Sequence, residues 1–490
     1  MEPLYLKNSS PCRFGDIPVA EGFDEFAACV RKLLSDSGCH CVNYFAVRTG
    51  GCLRLIMCIA DDGRSEIAVL SNELSGDVLP SAGIVSVERF EREIAENFGL
   101  SLRDHRWPKP LRTAPDDYPF YRSDNEEHHE VGVGPIHAGV IEPGHFRFTC
   151  EGEKILNLEI MLGYQHRGVE PLMVALPELE QKAILAENIA GDTVAGHSVA
   201  FASVIEALSG FSASRAIQYS RTLALELERI AIHTGDLSAI CGDVAYQLGN
   251  AVYGRLRTPI INFMQKWCGN RLGKTSVRPF EAPYPLTKEL ADDLLSVLAA
   301  FERDFDQISR QVRHFPSVLS RLERTGTVKY EDALETGAVG MAARASALCR
   351  DVRKSHPYLL YDGSIDTVIK HHGDVYSRTQ IRMEEVFCSI AIVRRLIESW
   401  PFDETSADAG PGSVSGLAAG SFVVSLVEGW RGEICHAAVT DEEGQLSVYK
   451  VKDPSFHNWR MLELAVRDNE ISDFPICNKS FNLSYCGHDL

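Results

Sequence analysis

Apolar residues recur at helical spacing over Gly22–Ser35, where Phe23, Phe26, Ala27, Val30, Leu33 and Leu34 line up on one face, and this predicts a helix. Cys41–Val47, Cys52–Ala60 and Glu66–Leu70 are short β-type runs separated by Gly and Asp turns. Val87–Leu100 reads as a charged helix stopped by Gly99. The next stretch, WPKPLRTAPDDYPFYRSDNEEHHE, is rich in Pro and charge and has no period, so a linker is expected there, with a boundary near 115–130. His128 and His129 fall in its solvated end.

From Gly132 the pattern changes. His145–Cys150 alternates Phe146 and Phe148 with polar neighbours, Glu151 to Lys154 supply a turn, and Ile155–Met161 continues the β run, which predicts a hairpin. Leu225, Leu227, Ile230 and Ile232 belong to one amphipathic stretch. In a longer one, Leu294, Leu298, Phe301, Phe305, Ile308, Val312 and Phe315 are spaced 4, 3, 4, 3, 4, 3 and stop at Pro316. Alternating steps of that kind keep an apolar stripe on its partners, so a long helix packed in a bundle is expected. Ile434–Val439 and Leu446–Val451 flank a second turn, Asp441 to Gly444, and predict another hairpin. The fold class is α+β. A small N-terminal α/β domain (1–118) precedes a large, mainly helical domain (119–490) with a long-helix bundle and peripheral antiparallel hairpins.

Composition narrows the setting. With 490 residues, 49 Lys+Arg and 68 Asp+Glu, the formal charge is −19. That argues against a nucleic-acid binder, whose affinity rests on neutralising phosphates. There is no apolar run long enough to cross a membrane and no secretory signal pattern, so the expected location is cytoplasmic. The 14 cysteines include no Cys-x-x-Cys pair, and Cys39-His40-Cys41 is the only near pair. Most therefore read as small buried hydrophobes. His128, His129, His137, His145 and His166 cluster along the chain without the i, i+4 spacing of a helical zinc site. Phosphate-binding glycine loops and the Gly-x-Ser-x-Gly elbow are absent.

More specific are GPIHAGVIEPGHFRF (134–148), LGYQHRGVE (162–170), GHSVAFASVIEAL (196–208), LELERIAIHTGDLSAICGDVAY (225–246), VEGWRGE (427–433), VKDPSFHNW (451–459) and DFPICNKSFNLSYCGHDL (473–490). In that order they resemble the large subunit of group 4 [NiFe]-hydrogenases, as in formate hydrogenlyase, and the homologous quinone-site subunit of respiratory complex I. FEREIAENFGL (90–100) resembles the small α/β subunit that flanks the latter and is fused to it in some relatives.

The resemblance implies nickel held by four thiolates, in an RxCGxC-type loop and a C-terminal DPCxxC motif. Here those positions carry Ala190, Thr193, Ser484 and Gly487, with Cys486 one residue out of register. Alanine and glycine cannot ligate, and neutral hydroxyls are poor partners for soft nickel. The resemblance also implies a quinone-site Asp-Tyr pair, whose positions are Ala190 and Gly191 here, while His137 or His145 could take the place of the second headgroup partner. His145, Arg147, His166, Arg167, Glu170 and His197 match motif positions that line or brace the site. Asp192 and Thr193 should line the old cofactor cavity, Asp192 either as a protonatable group beside a His or as the N-cap of the following helix.

By this resemblance the chain belongs to a membrane-associated, complex I-like oxidoreductase complex. It binds no cofactor of its own. It shapes a cavity beside an iron–sulfur cluster carried by a small partner subunit, a cavity that could take a quinone-like or other small acceptor, and couples electron transfer to ion translocation. A ferredoxin-like subunit and antiporter-like membrane subunits are further implied partners, which would hold it on the inner face of the cell membrane. NADH as ultimate reductant follows only by family analogy. The alternatives are a catalytically inactive assembly subunit and, third, a hydrogenase or NADH-quinone oxidoreductase with unusual site residues.

Overall fold

The computed structural model describes residues 1–113, 118–139, 141–402 and 416–490. Part of the expected linker, 114–117, and Val140 of the loop 134–148 lie outside the described residues.

The three N-terminal β runs form long antiparallel strands, Cys39–Thr49, Cys52–Asp61 and Glu66–Leu74, extended by Leu4–Leu6 and by Val19–Ala20, which pairs in parallel. One face of this sheet is covered by the helices Phe23–Leu34 and Val85–Phe98, whose Phe26, Val30, Phe90 and Ile94 pack on Tyr44, Leu55, Met57 and Leu70. Gly99 ends the second helix in the left-handed conformation, where a residue without Cβ is unstrained. The opposite face carries Phe45, Ile56, Cys58 and Val69 and packs on Phe422, Val424, Leu426 and Ala437 of a C-terminal sheet. Both faces are therefore buried, which explains why the runs are almost uninterruptedly apolar. Strand alternation also splits the near pair of cysteines from the histidine between them. Cys39 and Cys41 join the helix-side core, while His40 faces away to Glu433.

The C-terminal sheet consists of Ser421–Glu428, Glu433–Thr440 and Leu446–Lys452, with Cys12–Arg13 on its outer edge. Its second face packs on the helix Val194–Ser209 through Val423, Ala438 and Tyr449 against Phe201 and Val204. The core thus runs without a break from the N-terminal helices through two sheets to the helical part. The other predicted hairpin is present as His145–Glu151 and Lys154–Met161. A third strand, His129–Val133, joins it, so the solvated end of the expected linker pairs as an edge strand instead of remaining irregular.

The helices Arg215–Asp243, Gln247–Cys268, Lys288–His314 and Val375–Glu398 make the bundle. Six of the seven seam residues, Leu294 to Val312, are buried. Phe315 is not: the helix ends at His314, and Phe315 is 42% exposed, its ring against Tyr246. Pro316 cannot follow a residue held in helical conformation without a clash, so Phe315 turns extended. No helix among the described residues is long and apolar enough to cross a membrane.

Arg215–Asp243 buries charge as well as apolar groups. Glu226 accepts from Tyr361 and Ser389 (both 2.5 Å) and pairs with Arg229 and Arg353 at 3.5 Å. Arg344 bonds Glu385 and, at 2.9 Å, Glu428; Arg353 bonds Asp351 at 2.7 Å; His233 meets Glu385 at 2.7 Å. Three arginines face four carboxylates, and burial, with Asp351 beside it, pushes Glu428 up to about 7. Glu228 on the same helix is pushed by burial up to about 8, partly offset by bonds from the Ala195 and Gly196 amides.

Gly340 and Gly432 lie back to back. A Cβ on Gly340, at φ +64, would sit 2.2 Å from the Gly432 Cα and 2.3 Å from the Arg431 carbonyl. Backbone cannot yield as a side-chain tip does, so Gly340→Ala should destabilise by about 2–4 kcal/mol, read as a lowered thermal midpoint. For Glu228 the linkage sign is definite. A carboxyl raised in the folded state keeps a proton that the unfolded chain has released, so stability falls as pH rises from the ordinary Glu range towards about 8. The buried neutral histidines act in the opposite sense around pH 6.5 but equally in both proteins, so the contribution is read as a difference. Between pH 6.5 and 8 the melting temperature of Glu228→Gln should rise relative to that of wild type by ~2 °C.

Candidate functional site

Two loops meet at the end of the sheet. The first, 188–193, joins the helices Leu179–Glu187 and Val194–Ser209, and both Ala190 and Thr193 are fully buried. The second is the C-terminal turn, where Asn482 adopts the left-handed conformation and Ser484 caps the short helix Tyr485–Asp489 by accepting from the Gly487 amide at 2.9 Å.

Arg431 ties them together. It projects from the tight turn between Ser421–Glu428 and Glu433–Thr440, donating to Asp192 Oδ2 at 2.7 Å, Thr193 Oγ1 at 3.1 Å and, through Nε, the Asn482 carbonyl at 2.6 Å. Trp430 stacks under the guanidinium at 4.1 Å and donates its indole N–H to the Asp192 carbonyl. Burial works against the charge of Arg431, but Asp192 and Asp453 more than offset it. Such a planar fork, always charged, is suited to fixing two loops at once.

His197, one turn into its helix, meets Asp453 Oδ2 through Nε2 and His436 Nε2 through Nδ1, both at 3.1 Å; His436 Nδ1 meets the Tyr449 hydroxyl at 2.8 Å. Asp453 also accepts from the Ser455 amide. Burial raises the cost of ionising Asp453, yet His197 and Arg431 hold it well below the usual carboxylate range. Burial and the neighbouring His197 keep His436 neutral.

The loop 162–170 braces this arrangement. Arg167 donates to the Asn188 and Ile189 carbonyls and to the Cys486 carbonyl, bridging the same two loops on the outer side. His166 Nδ1 meets the Asp489 carbonyl at 2.7 Å, and Glu170 accepts from the Val451 amide and Lys450. His137 and His145 hold the neck of the hairpin loop, against the Gly144 and Gly134 carbonyls. His145 Nε2 is buried without a hydrogen-bond partner. Gly144 lies on the Tyr485 ring, too close for a Cβ (2.7 Å), so the hairpin neck touches the C-terminal turn. Arg147 pairs with Glu130 on the outer side of the sheet and has no hydrogen bond to either loop.

Two expectations for Asp192 need correction. The following helix is capped from its neighbour, by Glu228 accepting from Ala195 and Gly196, and Asp192 is spent on Arg431. The acid beside His197 is Asp453, not Asp192. Sequence reading passed over Asp453, Arg431, His436, Tyr449 and Glu228. Asp453 and Arg431 stand inside motifs that drew attention as whole strings, whereas His436 and Tyr449 look like any strand residues until their register is known. Cys486 lies by Ser484 with Glu142 and Asp192 near, and burial first, then Glu142, pushes its thiol up to about 11.

Among the described residues, no three His, Cys, Asp or Glu side chains are grouped to hold a metal ion. A Cβ on Gly487 would lie 2.7 Å from Cγ and Oδ2 of Asp453 and 2.9 Å from Ser484 Oγ. The space a side chain would take there belongs to the Asp453 carboxylate. Between the two loops stand Asp192, Thr193 and Arg431, with the Asp453 carboxylate and Ser484 packed against Gly487.

Comparison with known proteins places this architecture. Residues 250–414 match the family model described as respiratory-chain NADH dehydrogenase, 49 Kd subunit. The chain is 27% identical to the carbon monoxide-induced hydrogenase of Rhodospirillum rubrum over 72% of its own length and 96% of that protein. With formate hydrogenlyase subunit 5 of Escherichia coli it shares 26% identity, covering 81% of this chain and 74% of the relative. With an NADH-quinone oxidoreductase component of Dehalococcoides mccartyi the identity is 27%, over 70% of this chain and 93% of the relative. The chain is thus related, at modest identity, to the large subunits of these hydrogenases and to the corresponding subunits of NADH-quinone oxidoreductase.

Proposed function

We propose that this chain is the cavity-forming subunit of a membrane-associated, complex I-like oxidoreductase complex and works without a nickel–iron centre of its own. The carrying observation is the set of groups at the four positions where the related hydrogenases would hold nickel. Ala190 and Gly487 offer no donor atom, Thr193 Oγ1 is engaged with Asp192 and Arg431, and Ser484 Oγ caps a helix. Arg431 adds a fixed positive charge bonded to one of those groups, which repels a further cation. Soft nickel prefers thiolates, and the one thiol close by, Cys486, is held protonated. The residues do not fit the metal group.

They do fit a small polar acceptor. Asp192 and Arg431 supply charge and hydrogen bonds at the two loops, and His145, with its buried Nε2 unpartnered, stands in the neighbouring hairpin. On this reading electrons leave an iron–sulfur cluster held by a small partner subunit and reach an acceptor seated beside the loops, quinone-like or otherwise. This chain binds the acceptor, supplies protons and transmits the change in charge towards antiporter-like membrane subunits. A ferredoxin-like subunit completes the electron path. The complex sits on the inner face of the cell membrane, held there by its partners.

The test is made on the purified complex. Asp192→Ala and His145→Ala should each lower turnover at least about tenfold while all subunits remain assembled, because each removes a transition-state contact. Unchanged turnover in an intact complex would leave the chain as an assembly subunit and end the reading.

A further inference from the structure

Helix Val85–Phe98 of the N-terminal part and helix Ser455–Ala465 of the C-terminal part pack through Phe90 and Phe456, whose rings are 4.6 Å apart. Beside that contact the two parts enclose a small cavity of about 120 Å³. Four guanidinium side chains are among its lining, Arg89, Arg92 and Arg106 from the first part and Arg460 from the second. Among the described residues only two carboxylates, Glu88 and Glu463, line it with them. The balance is the reverse of that in the bundle, where three arginines face four carboxylates, and it occurs in a chain of formal charge −19.

These carboxylates do not absorb the positive charge. Glu463 is shared, accepting from Arg460 at 2.6 Å and from Arg89 at 3.2 Å. Arg106 Nε stands 3.8 Å from Glu88 Oε1, beyond hydrogen-bond distance, and that oxygen is buried without a partner. Arg92 meets carbonyls, those of Lys109 at 2.6 Å and Pro110 at 2.5 Å, and among the described residues no carboxylate. Burial pushes Arg89 down to about 10; Glu463 opposes this, whereas Arg92 and Arg460 add to it as like charges. Further out, Glu335 and Arg467 act on Arg460 with opposite signs. Like charges contributed by two parts of the fold repel each other across the seam unless an anion comes between them. Guanidinium forks match the oxygens of a tetrahedral anion, and several donors of these four side chains are not used by the protein.

We propose that this cavity binds a phosphoryl anion, which bridges the N-terminal part to the C-terminal part. Its volume suits the phosphoryl group itself, and Arg106, 64% exposed, marks the open side through which the anion enters. Glu88 and Glu463 repel the ligand, but Glu463 is already neutralised by two arginines, and burial makes Glu88 harder to ionise, partly offset by Arg106, Arg460 and Arg92. The cavity shares no lining residue with the loops around Ala190 and Ser484, so binding here is independent of the function proposed above.

Isothermal titration of the full chain with inorganic phosphate, at fixed ionic strength, tests the site. The expected result is one saturable site per chain that chloride does not fill, with a thermal midpoint that rises with phosphate by mass action. Arg106→Gln and Arg460→Gln should each weaken binding at least about tenfold, since each removes a charge-assisted bond. Arg106 is mostly exposed, so its variant should keep the wild-type midpoint without ligand, which separates loss of binding from loss of fold. Glu88→Gln keeps the shape and removes a repelling charge, and should bind at least as tightly as wild type. Arg303→Gln removes a comparably exposed charge from the helix Lys288–His314 and should leave binding unchanged. No saturable binding, binding unweakened in either cavity arginine variant, weaker binding in Glu88→Gln, or an equal loss in Arg303→Gln overturns the site. A parallel titration with glycerol 3-phosphate identifies the source: tighter binding than inorganic phosphate makes the ligand a small ester, and weaker binding makes it the free anion.

Discussion

Burial of arginine charge organises this molecule. A guanidinium away from water is tolerated only where carboxylates and carbonyls surround it, and each such demand fixes the groups that meet it. Arg229 holds the carbonyls of Glu428 and Gly429, Arg344 holds the Glu428 carboxylate, and Gly340 and Gly432 let the backbones close up. The turn between the two strands is thereby locked from behind by the bundle. Its tip presents Arg431 to Asp192 on one loop and to Asn482 on the other. Helix bundle, sheet and both site loops are consequences of one connected set of ion pairs.

That connection explains what was legible in the sequence. Strands and hairpins could be read because each has a sheet face to bury, and the seam of Lys288–His314 because one stripe of the helix is apolar and the rest is wet. Arg215–Asp243 is different. Its Glu226, Glu228, Arg229 and His233 are as buried as its leucines, so its periodicity names no solvent face and conceals the charges that matter most. Partners for those charges come from residues more than a hundred positions away, such as Arg353 and Glu385. Spacing along the chain carries no trace of them.

The candidate site shows the same division. The loops around Ala190, Thr193, Ser484 and Gly487 were identifiable as strings, and so was the absence of cysteine at each of the four. Their present chemistry was not, because it depends on which side chain fills the space a cysteine would need. At Gly487 that group is Asp453, a neighbour in space from a different motif, and it brings His197 and the strand residues His436 and Tyr449 with it. Here an acid joined to two imidazoles and a phenol makes a continuous buried polar network.

The N-terminal part also takes on a role through packing. Its sheet covers the strands that carry the Arg431 turn, His40 meets Glu433 at the base of that turn, and its outer helix bounds a cavity at Tyr449. The central claim is that a fixed arginine and a carboxylate, not a metal, occupy the space between the loops. Elemental analysis of the purified, assembled complex tests this most directly. The account predicts iron from the partner's clusters and no stoichiometric nickel. One nickel per copy of this chain would contradict it.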